Sequence, residues 1–121
     1  MGILISIFLT KKVKLILSNL KTIGKIIRDL RESKGLPLRK VAASLDIDQA
    51  ILSKIERGLR KINKEQIQQL SIIFEIDDGS LLLHYYSDKI AYELAEEPFA
   101  IEALKLSESK IDYLRNLKEL K

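Results

Sequence analysis

Five side chains in the stretch QAILSKIER, residues 49–57, have the types and spacing needed to read hydrogen-bonding edges. At about 100° per helical residue, Ala50, Ser53, Lys54 and Arg57 fall on one arc and Leu52, Ile55 and Glu56 on the other, with Gln49 at the exposed tip. Gln49 has the donor and acceptor to pair bidentately with adenine, Lys54 or Arg57 with guanine, and Ala50 suits a thymine methyl. Arg60 and Lys61, just past the segment, and Arg39 and Lys40, before it, have the charge to meet phosphates. Surface lysines and arginines are ordinarily just solvated, so these residues matter only if the surrounding elements hold them as a group.

The local sequence predicts such elements. Ile23, Ile26, Ile27 and Leu30 make one apolar stripe, with Thr22 able to cap the helix and Gly35 to end it. Pro37 fits the start of a second helix that buries Leu38, Val41, Ala42 and Leu45. The third runs from an Asp48 cap, whose carboxylate is expected to take first-turn N–H groups, to Gly58. Ile47 and Leu52 have the spacing of a hydrophobic staple, and Ile51 is read as a core residue. Asn63 and Gln66 spell a capping box for a fourth helix burying Ile67, Leu70, Ile73 and Phe74. Asp77 or Asp78 starts a short fifth helix through Leu81–Leu83. Two further helices follow, at about 88–96 and 99–119, separated by Pro98 and striped by Ile90, Leu94, Ile101, Leu104, Ile111, Leu114, Leu117 and Leu120. This stripe drifts, so no long coiled coil is expected.

Two helices joined by the three-residue turn Asp46–Asp48, the second polar on its outer side, describe a helix-turn-helix. The major groove of B-DNA, about 12 Å wide, admits one such helix. The charge distribution agrees. Residues 1–20 hold three Lys and no acid, residues 21–62 eleven Lys and Arg against five acids, and residues 63–121 seven against twelve. A basic block followed by an acidic one suggests a polyanion-facing part and a part with another task.

Residues 30–74, LRESKGLPLRKVAASLDIDQAILSKIERGLRKINKEQIQQLSIIF, resemble the phage-repressor or XRE-type helix-turn-helix domain, chiefly in the combined spacing of LRxxxG, VAxxLxI and ILSKIExG. The resemblance spans residues 22–83 and implies an all-α, five-helix, lambda-repressor-like bundle, here followed by two C-terminal helices. It also implies dimeric binding to near-palindromic operators and repression or activation of transcription. Arg31 matches the family's helix-one Arg that pairs with the Glu closing the third helix, here Glu56. The tail resembles those of some bacterial regulators encoded near DNA-modifying enzymes. Three positions depart from the pattern. Asp46 stands where the turn usually has Gly, Leu38 where a Gln usually reaches phosphate, and Ile62 where Pro usually follows the third helix.

The resulting expectation has three parts: an apolar and basic arm (1–20), a helix-turn-helix domain (21–84) and a helical dimerisation or partner-binding tail (85–121). Its function is expected to be that of a sequence-specific double-stranded DNA-binding regulator, a repressor or controller, acting as a homodimer. The alternative is an antitoxin or other protein-binding module on the same fold, whose acidic tail masks a basic partner.

Other chemistry finds little support. No Cys is present, which excludes disulfides, thiolate zinc sites and Cys nucleophiles and fits a reducing cytoplasm. One His leaves any metal site to carboxylates without suitable loop spacing, and phosphate-binding Gly-rich loops are missing, so no metal or cofactor is expected. Ser80, His84 and Asp88 lie at i, i+4 and i+8, but one straight helix cannot aim three such groups at one carbonyl, and no enzymatic activity is expected. The apolar run Ile3–Leu9 is far short of the roughly 20 residues that cross a bilayer. It lacks the flanks of a secretory signal, and MGILIS fits a myristoylation pattern only loosely.

Overall fold

The computed structural model describes residues 20–119, and the arm at residues 1–20 lies outside them except for Leu20. Among the described residues there are six helices and no strand: α1 Ile23–Ser33, α2 Leu38–Ser44, α3 Gln49–Glu56, α4 Lys64–Ile73, α5 Asp78–Leu94 and α6 Ala100–Glu119. The all-α, helix-turn-helix architecture expected from the sequence is present. The chain divides into two compact units, one reaching to Asp88 and one from Lys89 onward.

The first unit is built around Ile27, Val41, Leu52, Ile67, Leu70, Phe74 and Leu81, all but withdrawn from solvent. Each of its first four helices ends in the same way. The chain reverses through a left-handed residue, and two backbone N–H groups return to the last-turn carbonyls. Gly35 (φ 66°) and Gly58 (φ 77°) take this position after α1 and α3 without a side-chain penalty. After α2 and α4 it is taken by Asp46 (φ 56°) and Glu75 (φ 55°), where Cβ crowds the backbone. For α2 the closing bonds are Asp46 N–H to Ala43 O and Ile47 N–H to Ala42 O, each 3.1 Å. The apolar residue after each reversal tucks against the core at Leu36, Ile47 and Ile76, but after α3 Leu59 is left 69% exposed.

The starts of α1 and α4 are capped by side chains, and that of α3 is not. Thr22 Oγ1 accepts from Lys25 N–H at 3.3 Å. Asn63 and Gln66 exchange both bonds of the capping box, at 2.8 and 3.0 Å. Asp48 has the extended backbone of an N-cap, but its side chain makes no capping bond, contrary to the sequence expectation. Its own carbonyl starts α3 instead, accepting from Ile51 N–H at 3.0 Å and Leu52 N–H at 3.2 Å.

The expected short fifth helix and the helix at 88–96 are one continuous α5 of 17 residues. No Gly or Pro interrupts His84–Ser87, and Tyr85 and Asp88 prolong the half-buried side begun at Leu81, so nothing stops propagation. In the second unit, α6 runs 20 residues with none of them buried.

Candidate nucleic-acid interface

The seat of α3 is set by its neighbours. Gly24, buried in the first turn of α1, lies so close to the end of α3 that a Cβ there would collide with the Ile55 carbonyl oxygen and stand 3.0 Å from that of Glu56. Only a residue without a side chain allows α1 and α3 to approach so closely. One step further along, Arg31 Nε donates to Glu56 Oε2 at 2.8 Å and Arg31 Nη2 to Glu56 Oε1 at 3.1 Å, while Arg31 Nη1 donates to Leu36 O at 3.0 Å. The hydrogen bond to Glu56 is the main reason that the guanidinium holds its proton even more tightly than usual, against the opposing effect of burial. One planar group therefore fastens the last residue of α3 to α1 and to the chain entering α2.

With Leu52, Ile55 and Glu56 turned inward, α3 leaves Gln49, Ala50, Lys54 and Arg57 exposed, and Ser53 half-buried at the edge. This is the partition that the wheel predicts. Ile51 is half-buried against the core, as expected. Arg39, Lys40, Arg60 and Lys61 are exposed. Arg57 rests on its own helix, its Nε donating to Ser53 O at 3.3 Å.

Charge pairing is segregated. Ion pairs gather on α1 and the adjoining Lys21: Lys21 and Lys25 with Asp29, Arg28 with Glu32, and Arg31 with Glu32 and Glu56. The Asp29 carboxyl is held below its usual range by the hydrogen bond from Lys25 and then by that from Lys21. No such pair neutralises Arg39, Lys40, Lys54, Arg57, Arg60 or Lys61. The positive field of α2, α3 and the following loop is thus left to act on whatever approaches.

Two family departures have structural outcomes. Leu38, in place of a phosphate-reaching Gln, packs half-buried against the core. Ile62, in place of Pro, is itself a core residue at 6% exposure. Sequence reasoning missed Gly24, whose role appears only when α1 meets α3, and Leu59, whose exposure breaks the pattern of the other helix ends. Its neighbours Arg57, Arg60 and Lys61 were the available signal.

Of Ser80, His84 and Asp88, the carboxylate of Asp88 accepts from the backbone N–H of Ile23 at 2.8 Å. Among the described residues no group of His, Asp or Glu is placed to hold a metal ion, and no helix is long and apolar enough to cross a membrane.

The helix-turn-helix family model matches residues 27–79. A relative from Deinococcus deserti, the HTH-type transcriptional regulator DdrOP3, is 32% identical over 72 residues, covering 58% of this chain and 56% of that protein. The chain therefore spans little more than half the length of this curated relative. Two crystal structures of the clp gene regulator ClgR from Corynebacterium glutamicum are similar at 23% and 21% identity. They cover 55% and 79% of this chain and 86% of theirs in each case, with TM-scores of 0.47 and 0.48. The Arg31–Glu56 clamp and the polar outer arc of α3 both lie within residues 27–79, the segment that matches the helix-turn-helix family model.

Proposed function

We propose that this chain is a sequence-specific, double-stranded DNA-binding transcriptional regulator that acts in the cytoplasm as a dimer on a near-palindromic operator. The observation that carries the reading is α3 itself. It is clamped from behind through Glu56, yet offers Gln49, Ala50, Lys54 and Arg57 outward with no ion partner for either base. In this reading Gln49, Ala50, Ser53, Lys54 and Arg57 meet base edges, and Arg39, Lys40, Arg60 and Lys61 meet phosphates. One such helix reads only a few base pairs, so a dimer with half-sites about 34 Å apart, or a multiple of that, supplies useful specificity. The similarity to the Deinococcus transcriptional regulator supports the same reading.

The experiment separates base from phosphate contacts. A preferred duplex is first selected from random DNA. Affinities of Gln49→Ala and Arg60→Ala are then measured on that duplex and on a random one across a salt series. Gln49→Ala should lose about 1–3 kcal/mol on the preferred duplex and little on the random one. Arg60→Ala should weaken both alike and flatten the log–log salt slope by about 0.9. Equal losses on both duplexes for both variants would mean that α3 does not read sequence.

The exposed apolar residues of α6 favour a second reading, a protein-binding module such as an antitoxin. It replaces the first if neither substitution changes DNA affinity.

A further inference from the structure

The apolar side of α6 is uncovered among the described residues, whereas most helical stability in proteins comes from packing an amphipathic face against something else. Two rows run along it at alternating steps of four and three residues, the spacing that keeps a seam facing a second helix. One row is Phe99, Ala103, Leu106, Lys110, Tyr113 and Leu117, with a lysine at its centre. The other is Ala100, Leu104, Ser107, Ile111, Leu114 and Lys118, with the small Ser107 within it and its lysine at the end rather than at the centre. The second row makes the better seam.

Charge decides what occupies it. α6 carries four acids, Glu102, Glu108, Asp112 and Glu119, and four bases, Lys105, Lys110, Arg115 and Lys118. It is electrically neutral. The acidity of the C-terminal half resides in residues 75–97, where seven acids face Lys89 alone among Lys and Arg. A basic partner would be drawn there and not to α6. No ion pair within the described residues engages any α6 charge, so both signs remain available to a self-complementary surface.

We infer that α6 pairs antiparallel with α6 of a second copy along the Leu104–Ile111–Leu114 row, with Glu108 opposite Arg115 of the second copy. This rests on the dimeric reading above and specifies how the two copies meet. Glu108 and Arg115, seven residues apart, flank the row on the same side, and Lys110 and Leu117 flank it on the other. Antiparallel helices bring like flanks together. With Ile111 against Leu114 of the second copy, the two-fold axis generates two Glu108–Arg115 contacts and sets each Lys110 beside the apolar Leu117. A parallel pair would bring unlike flanks together and place Lys110 against Arg115, like charge against like.

The test uses the full chain without DNA, in sedimentation equilibrium at low ionic strength, with circular dichroism to verify that helix content is kept. Arg115→Glu should weaken the dimer about tenfold, because two symmetric attractions become repulsions. Glu108→Arg should do the same, and the double exchange E108R/R115E should restore wild-type association. A tighter dimer for Arg115→Glu would overturn the inference in favour of parallel helices. No change in any variant would overturn it by placing the interface elsewhere, and a monomeric wild type would overturn it by leaving the row to another protein. Duplex discrimination by Gln49→Ala is read separately, so loss of the pairing scheme and loss of the DNA-binding reading remain distinguishable.

Discussion

Arg31 holds Glu56 through two parallel hydrogen bonds, with the glutamate side chain only 5% exposed and the arginine 13%. Deleting one partner strands the other in a site where water cannot replace it. Glu56→Ala should therefore lower stability by about 3–5 kcal/mol, severe for a domain stable by only about 5–15 kcal/mol. Urea denaturation measures this directly. A melt like that of wild type would show that the clamp contributes little.

Gly24→Ala adds a single methyl group where α1 meets the Ile55 carbonyl oxygen. The obstruction is backbone, which cannot swing aside as a side chain would, so the helices must separate. The expected cost is at least about 1–3 kcal/mol. α3 should also shift with its carbonyls, and DNA affinity should fall at temperatures where the variant is still folded. Unchanged stability and affinity would refute the close approach.

The left-handed residues after α2 and α4 make a prediction of opposite sign. Asp46→Gly and Glu75→Gly each remove a Cβ from a conformation that disfavours one, and should raise stability by about 0.5–1 kcal/mol. Gly58→Ala, at φ 77°, should lower it by a similar amount. Urea midpoints of the three variants form the check, and a loss in either Gly variant would indicate a compensating role for the acidic side chain.

A fourth prediction concerns where the first unit ends. The sequence expectation is that a chain cut after Leu83 stays folded, becomes monomeric and binds DNA much more weakly. Such a cut removes Tyr85, which packs against the core, and the Asp88 carboxylate that accepts from Ile23 N–H. A chain ending at Asp88 should be more stable than one ending at Leu83 by at least about 1.5–3 kcal/mol, the worth of a hydrogen bond to a charged group. Equal melting of the two truncations would deny the carboxylate any role in holding α1.

What could be read from the sequence is what local rules determine. The Asn63–Gln66 box, Gly35 and Gly58 mark helix ends through bonds spanning a few residues, and the buried and exposed arcs of α3 follow from helical period alone. What escaped depends on distant partners or on a choice of rotamer. Nothing near Gly24 announces the carbonyl that α3 brings to it. Asp48 has the residue type of a capping side chain, but its carboxylate makes no such bond. The sequence expectation put a break in the middle of α5, yet continuity there needs only the absence of a breaker. The proposed DNA contacts fall in the same class as Gly24, since they depend on a surface outside the chain.

The bond from Ile23 to Asp88 spans 65 residues of chain, which gives it a meaning in time as well as in space. At synthesis rates of about 5–20 residues per second, α1 leaves the ribosome roughly 3–13 s before the carboxylate that completes its first turn. During that interval its leading amide has only water for a partner. A nascent chain halted before residue 88 carries the whole helix-turn-helix segment but not this closing bond. Completion of the domain is thereby coupled to translation having passed into α5.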